Sequence, residues 1–139
     1  MDDSELDKYV ANVLLTLRAD NEVSIAEEVV LARVRVFRWV DDGNIERAEA
    51  LLEESREPRL LQSRWNNLEC LEDMVSGAYA DGAVHASENQ IVKSYTAMIG
   101  DVTEDQFSAL CRRGRERGER AREKAELLRD EEDAAGAGS

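Results

Sequence analysis

Proline occurs once and glycine eight times in these 139 residues, too few breakers for a turn-rich β fold. Cysteine is almost as scarce. Cys70 and Cys111 stand 41 positions apart with no C-x-x-C spacing, a pattern that suits buried reduced thiols and no disulfide or zinc framework. A single histidine, His85, leaves nothing from which to build a His-based metal or catalytic cluster. No uncharged apolar run approaches the ~18–20 residues that a bilayer span needs, and the start of the chain lacks the basic and apolar regions of a signal peptide. Positive charge is also short: 18 basic against 31 acidic side chains give a net charge of −13, and such a surface repels a phosphate backbone. A soluble, cytoplasmic protein that neither binds nucleic acid nor inserts into a membrane is expected.

What is present points to helices. Hydrophobic residues make up 42% of the chain, and a chain of this length buries roughly 68–70% of its unfolded surface, enough for one self-sufficient core. Apolar residues recur at three- and four-residue spacing, the mark of amphipathic helices. Leu6, Tyr9, Val10, Val13, Leu14 and Leu17 define the first, over about 3–19. A capping box of Ser24 with Glu27 opens the second, which runs to about Val40. Its Val29, Val30, Val34, Val36, Phe37 and Trp39 are apolar on several sides, as in a central helix with many neighbours. Turn chemistry at Asp41-Asp42-Gly43-Asn44 leads to a short helix through Ile45, Ala48, Leu51 and Leu52, stopped before Pro58. Leu61, Trp65, Leu68, Leu71 and Val75 mark a long helix reaching Tyr79. Ile91, Val92, Tyr95, Met98 and Ile99 form another, closed by Gly100. Thr103 with Gln106 caps a last one through Phe107 and Leu110.

The charge divides unevenly. Residues 1–111 hold 10 basic and 23 acidic groups, and residues 112–139 hold 8 of each. The domain proper is read as 1–111. Residues 112–133 read as a solvated, charged helical extension with i,i+4 pairs such as Glu116 with Arg120, weakened by Gly114 and Gly118 at ~1 kcal/mol each. Residues 134–139 read as a disordered tail. The expected architecture is all-α: a bundle of about six to seven helices from two similar halves, followed by that extension.

An internal repeat carries the most information. A shift of 61 positions lays Ala19-Asp20-Asn21-Glu22-Val23-Ser24-Ile25-Ala26-Glu27 on Ala80-Asp81-Gly82-Ala83-Val84-His85-Ala86-Ser87-Glu88. Flanking apolar residues also align, Val13 with Met74, Val30 with Ile91 and Phe37 with Met98. Asn21 and Gly82 suit a chain turning left-handed after a helix, and Val23 and Val84 would turn back into the core. Asp20 with Glu27, and Asp81 with Glu88, bracket the two connections. Should the halves pack about a pseudo-two-fold axis, these four carboxylates converge, an arrangement suited to a hard divalent cation such as Ca²⁺, Mg²⁺ or Mn²⁺. The alternative is that they are helix caps, since Glu27 can simply complete the box with Ser24. A working EF-hand is not expected. Its first ligand positions would fall on Gly77 and Tyr79, or on Thr16 and Arg18, and the required oxygens are missing there.

The stretch Ala-Tyr-Ala-Asp-Gly-Ala-Val-His-Ala-Ser-Glu, flanked by apolar helices and followed by Val-Thr-Glu-Asp-Gln-Phe, resembles the TerB-like domain of tellurite-resistance proteins. It is also similar to the related domain of certain membrane-anchored DnaJ-like co-chaperones. The resemblance covers about residues 6–111. It implies an all-helical bundle of about seven helices in two similar halves, with metal-chelating acids at Asp20, Glu27, Asp81 and Glu88. It further implies a part in bacterial stress or tellurite resistance and protein partners that include membrane-embedded ones. Asn21 stands where the family usually has glycine, and His85 where it usually has Ser or Thr. No nucleophile, phosphate-cradling loop or zinc spacing points to an enzyme. Two functions follow: a metal-binding accessory protein that docks partners, or a metal-free helical adaptor whose loop acids are only caps.

Overall fold

The computed structural model describes residues 1–19, 24–80 and 86–137, and within them the chain is all-α. Six helices follow in order: α1 (Asp3–Leu17), α2 (Ile25–Arg38), α3 (Asp42–Glu54), α4 (Arg64–Tyr79), α5 (Ala86–Ile99) and α6 (Glu104–Ala137). Local chemistry explains where they start. The Asp2 carboxylate accepts from the Glu5 N–H at 2.8 Å, and the expected boxes of Ser24 with Glu27 and of Thr103 with Gln106 both form. The Asp41–Asn44 stretch differs from expectation. It is itself a capping box, with reciprocal bonds of 2.8 and 3.0 Å, so α3 starts at Asp42 and not near Ile45.

The 61-residue repeat is visible in the element boundaries. Each half is a three-helix unit, with α1 and α4 beginning at residues 3 and 64, and α2 and α5 at 25 and 86. Contacts between α1 and α4 have the reciprocity of a two-fold axis. Tyr9 donates its hydroxyl to Asp73, while Asn12, the counterpart of Asp73, reaches the sulfur of Cys70, the counterpart of Tyr9, at 3.6 Å. Two asparagines organise the irregular segment between the halves. Asn12 pairs with the Arg59 backbone N–H and C=O at 2.7 and 2.8 Å, and the Asn67 side chain grips both Leu61 backbone groups.

The core lies where these units meet: Tyr9, Val10, Val13, Leu14 and Leu17 of α1 against Leu71, Met74 and Val75 of α4, closed by Val92, Tyr95 and Leu110. The central helix is α4, which packs on α1, α2, α5 and α6, and every residue from Cys70 to Ala78 is buried. The expectation that α2 would fill that role is corrected. Val36 and Phe37 of α2 and Trp39, which caps its end, are 74%, 68% and 89% exposed, because α2 lies at the rim of the bundle and offers the core only one stripe, through Ala26, Val30 and Val34. Trp65 likewise points to solvent.

The stretch after Cys111 is the larger correction. It continues α6 without a break and packs along α4 and α2. Gly114 and Gly118, expected to be weak points of a solvated helix, are where the two backbones approach. A Cβ on Gly118 would lie 2.7 Å from the Ser76 carbonyl oxygen, and one on Gly114 would lie 2.6 Å from Val75 Cγ1. Ala121 and Ala125 are buried with Ala26, Val30 and Ala80. No Glu116–Arg120 ion pair forms among the described residues; Arg113 and Arg117 instead reach inward to α4. Helix also continues through residues 134–137, which composition alone assigned to a disordered tail.

Candidate functional site

Glu27 and Glu88 occupy equivalent places, each in the first turn of the second helix of its half. Both are buried, at 2% and 1% exposure. Glu27 is held by its cap: its Oε1 accepts from the Ser24 N–H at 2.9 Å, and its own N–H donates to Ser24 Oγ at 3.2 Å. The other two expected ligands, Asp20 and Asp81, lie outside the described residues, as do Asn21, Val23, Gly82, Val84 and His85. Among the described residues, the α2 and α5 backbones do not pack against each other. No group of three or more His, Cys, Asp or Glu side chains among the described residues is placed to hold a metal ion.

A second cluster, which the sequence reading missed, lies between α1, α2, α4 and α6. Glu72 and Asp73 of α4 are both buried. Arg117 bonds Glu72 at 2.9 Å and Asp73 at 3.2 Å, and Arg113 also pairs with Glu72. Asp73 accepts the Tyr9 hydroxyl, and the Arg38 guanidinium sits 5.2 Å from the Tyr9 ring centroid while pairing with Glu69. Burial holds the Asp73 carboxyl above the usual carboxylate range, against the opposing pull of the Tyr9 hydroxyl, Arg117 and Arg38. Burial also drives the Tyr9 hydroxyl far up, so it stays a proton donor. A cleft of about 230 Å³ opens beside this network, lined by Arg33, Phe37, Arg38, Glu69, Asp73 and Arg117. The only signal in the sequence was the arginine spacing of 113 and 117, one helical turn apart, which matches a neighbouring pair of acids once α4 and α6 lie side by side.

Neither thiol is tuned as a nucleophile. Cys70 and Cys111 form no disulfide, and burial pushes both thiols up, the opposite of the shift that activates a nucleophile. No helix among the described residues is long and apolar enough to cross a membrane. The chain matches no protein-family model, no curated protein and no solved structure.

Proposed function

We propose that this chain is a non-enzymatic, cytoplasmic accessory protein of the TerB-like kind, serving a bacterial stress or tellurite-resistance system. It takes up a divalent cation, Ca²⁺, Mg²⁺ or Mn²⁺, through the segments 20–27 and 81–88, and it docks protein partners, a membrane-embedded one among them. The supporting observation is the burial of Glu27 and Glu88 at equivalent positions, beside the connections that carry Asp20 and Asp81. Hard divalent ions are bound by carboxylate oxygens, and the repeat sets one buried carboxylate in each half.

Calorimetric titration with each of the three cations tests the reading. Heat is expected with the parent chain and none with Asp20→Asn combined with Asp81→Asn. Absence of heat in the parent, or equal heat in both proteins, overturns it. A second reading, a metal-free adaptor, is favoured by the complete capping box at Glu27, which gives that carboxylate a structural task of its own. Glu27→Gln separates the two, because glutamine also completes the box. Under the adaptor reading it leaves stability and partner capture as they were, whereas under the cation reading it weakens the heat of cation binding.

A further inference from the structure

A groove of about 600 Å³ runs between α2 and α6 and takes no part in the cation reading. Its lining extends from Ile25 to Phe37 on one helix and from Arg117 to Leu128 on the other, about 16–18 Å at 1.5 Å per residue. That length is three turns of a third helix laid alongside. The apolar wall is Val29, Val36, Phe37 and Leu128, with Val36 and Phe37 mostly exposed. The charged lining comprises Arg33, Arg117, Arg120 and Lys124 against Glu28 alone, a local excess of three positive charges on a chain of net −13. Arg117 is already engaged by Glu72 and Asp73, but Arg33, Arg120 and Lys124 form no ion pair among the described residues. Arg33 instead covers the Phe37 ring at 4.9 Å.

We propose that this groove docks an acidic amphipathic helix of a partner protein, its apolar stripe on Val36, Phe37 and Leu128 and its Asp or Glu residues on Arg33, Arg120 and Lys124. Charge complementarity selects the occupant, since a basic trough on an acidic body favours an acidic ligand and disfavours a basic one. The shape selects it too. A concave trough between two helices fits a cylinder and not a planar bilayer.

Fluorescence anisotropy on the full chain, in EDTA, provides the test. The probe is a labelled 14-residue peptide with Leu at i, i+3, i+4, i+7 and i+11 and Glu at the flanking positions; its control carries Lys in place of Glu. The acidic peptide is expected to bind at least about tenfold more tightly than the control, and to weaken with salt. Arg120→Glu with Lys124→Glu should cut its affinity about tenfold, and Phe37→Ser, a change at an exposed site, should do so independently with the thermal melt unchanged. Three results overturn the proposal: equal affinity for both peptides, binding unaffected by either variant, or recruitment to phosphatidylserine vesicles without peptide binding. A self-association detected by sedimentation and abolished by Phe37→Ser would also overturn it, by making the occupant a second copy. Because EDTA removes divalent ions, failure here and failure of the cation reading are separately observable.

Discussion

α3 and α6 hold equivalent places in the two halves, yet one has 13 residues and the other 34. Their inner ends do the same work. On α1, buried Asp7 accepts from Asn44 and Arg47 of α3, both at 2.8 Å; on α4, buried Glu72 and Asp73 accept from Arg113 and Arg117 of α6. Each half is thus tied by acids on its first helix and cationic or polar groups on its third. Beyond that point the halves part. α3 ends at Glu54 and its backbone does not approach α5, while α6 continues past Arg117 and packs along α2. The added length gives α2 a neighbour that α5 lacks, and with it the basic groove. In a repeat protein the copied part builds the core, and the part added to one copy breaks the symmetry and creates a distinctive surface.

The most severe way to break this comparison is truncation after Cys111. If residues 112 onward were a solvated extension, the remainder would fold as before. Because they supply Arg117, Ala121 and Ala125 to buried contacts, their loss should consume most of a typical ~5–15 kcal/mol stability margin, read as a collapsed or absent urea transition. Truncation after Asp130 removes, among the side chains described, only the exposed ones of residues 131–134, and should shift the midpoint little. Next in size, Arg117→Ala leaves Asp73 without its ion pair and Glu72 with Arg113 alone, both acids buried, at a cost of about 3 kcal/mol by chemical denaturation.

Gly118→Ala turns on sign. On a solvated helix alanine gains ~1 kcal/mol over glycine. Against the Ser76 carbonyl, a Cβ at 2.7 Å forces α6 away from α4, and a net loss of about 1–2 kcal/mol is expected, measured as a lower melting temperature. Trp39→Gly sharpens the comparison in the opposite direction. Trp39 is the repeat counterpart of Gly100; both sit at helix ends with positive φ, 58° and 74°, which glycine adopts freely and tryptophan does not. Glycine at 39 should therefore stabilise by about 1 kcal/mol, seen as a raised melting temperature. No stabilisation would show that the exposed indole has packing worth the strain.

The smallest expected effect concerns pH. Asp73 is held above its ordinary value, so the folded state takes its proton more readily than the unfolded state. Its contribution is fully present below about pH 4 and is lost as the pH rises through the raised folded value. The stability of the parent relative to Asp73→Asn should accordingly decline as the pH rises from about 4 through the raised folded value, and a flat difference would contradict the burial-driven shift.

Most of the fold was legible because helix signals are local. The capping boxes of Ser24 and Thr103, the apolar stripes of α1 and α4 and the left-handed residue at Gly100 each act within a few residues, and the 61-residue repeat multiplied them. The candidate site was legible only as residue types at matched positions. Glu27 and Glu88 stood out by the repeat, but their burial depends on which face of α2 and α5 turns inward. Glu72, Asp73, Arg113 and Arg117 went unread because each looks like ordinary helix surface until α4 and α6 are side by side. Gly114 and Gly118 misled for the same reason, since glycine's low helix propensity is a local cost and its close-packing gain is not.

Sequence alone therefore determined the all-α class, the helix starts at the Ser24 and Thr103 caps and the twofold repeat, because hydrophobic periodicity and capping are short-range properties of the chain. Tertiary structure decided which helix is central, that residues 112–125 belong to the packed body, and that a basic groove forms on an acidic protein. Those depend on interhelical distance, over which burial and charge pairing are settled by residues far apart in the chain.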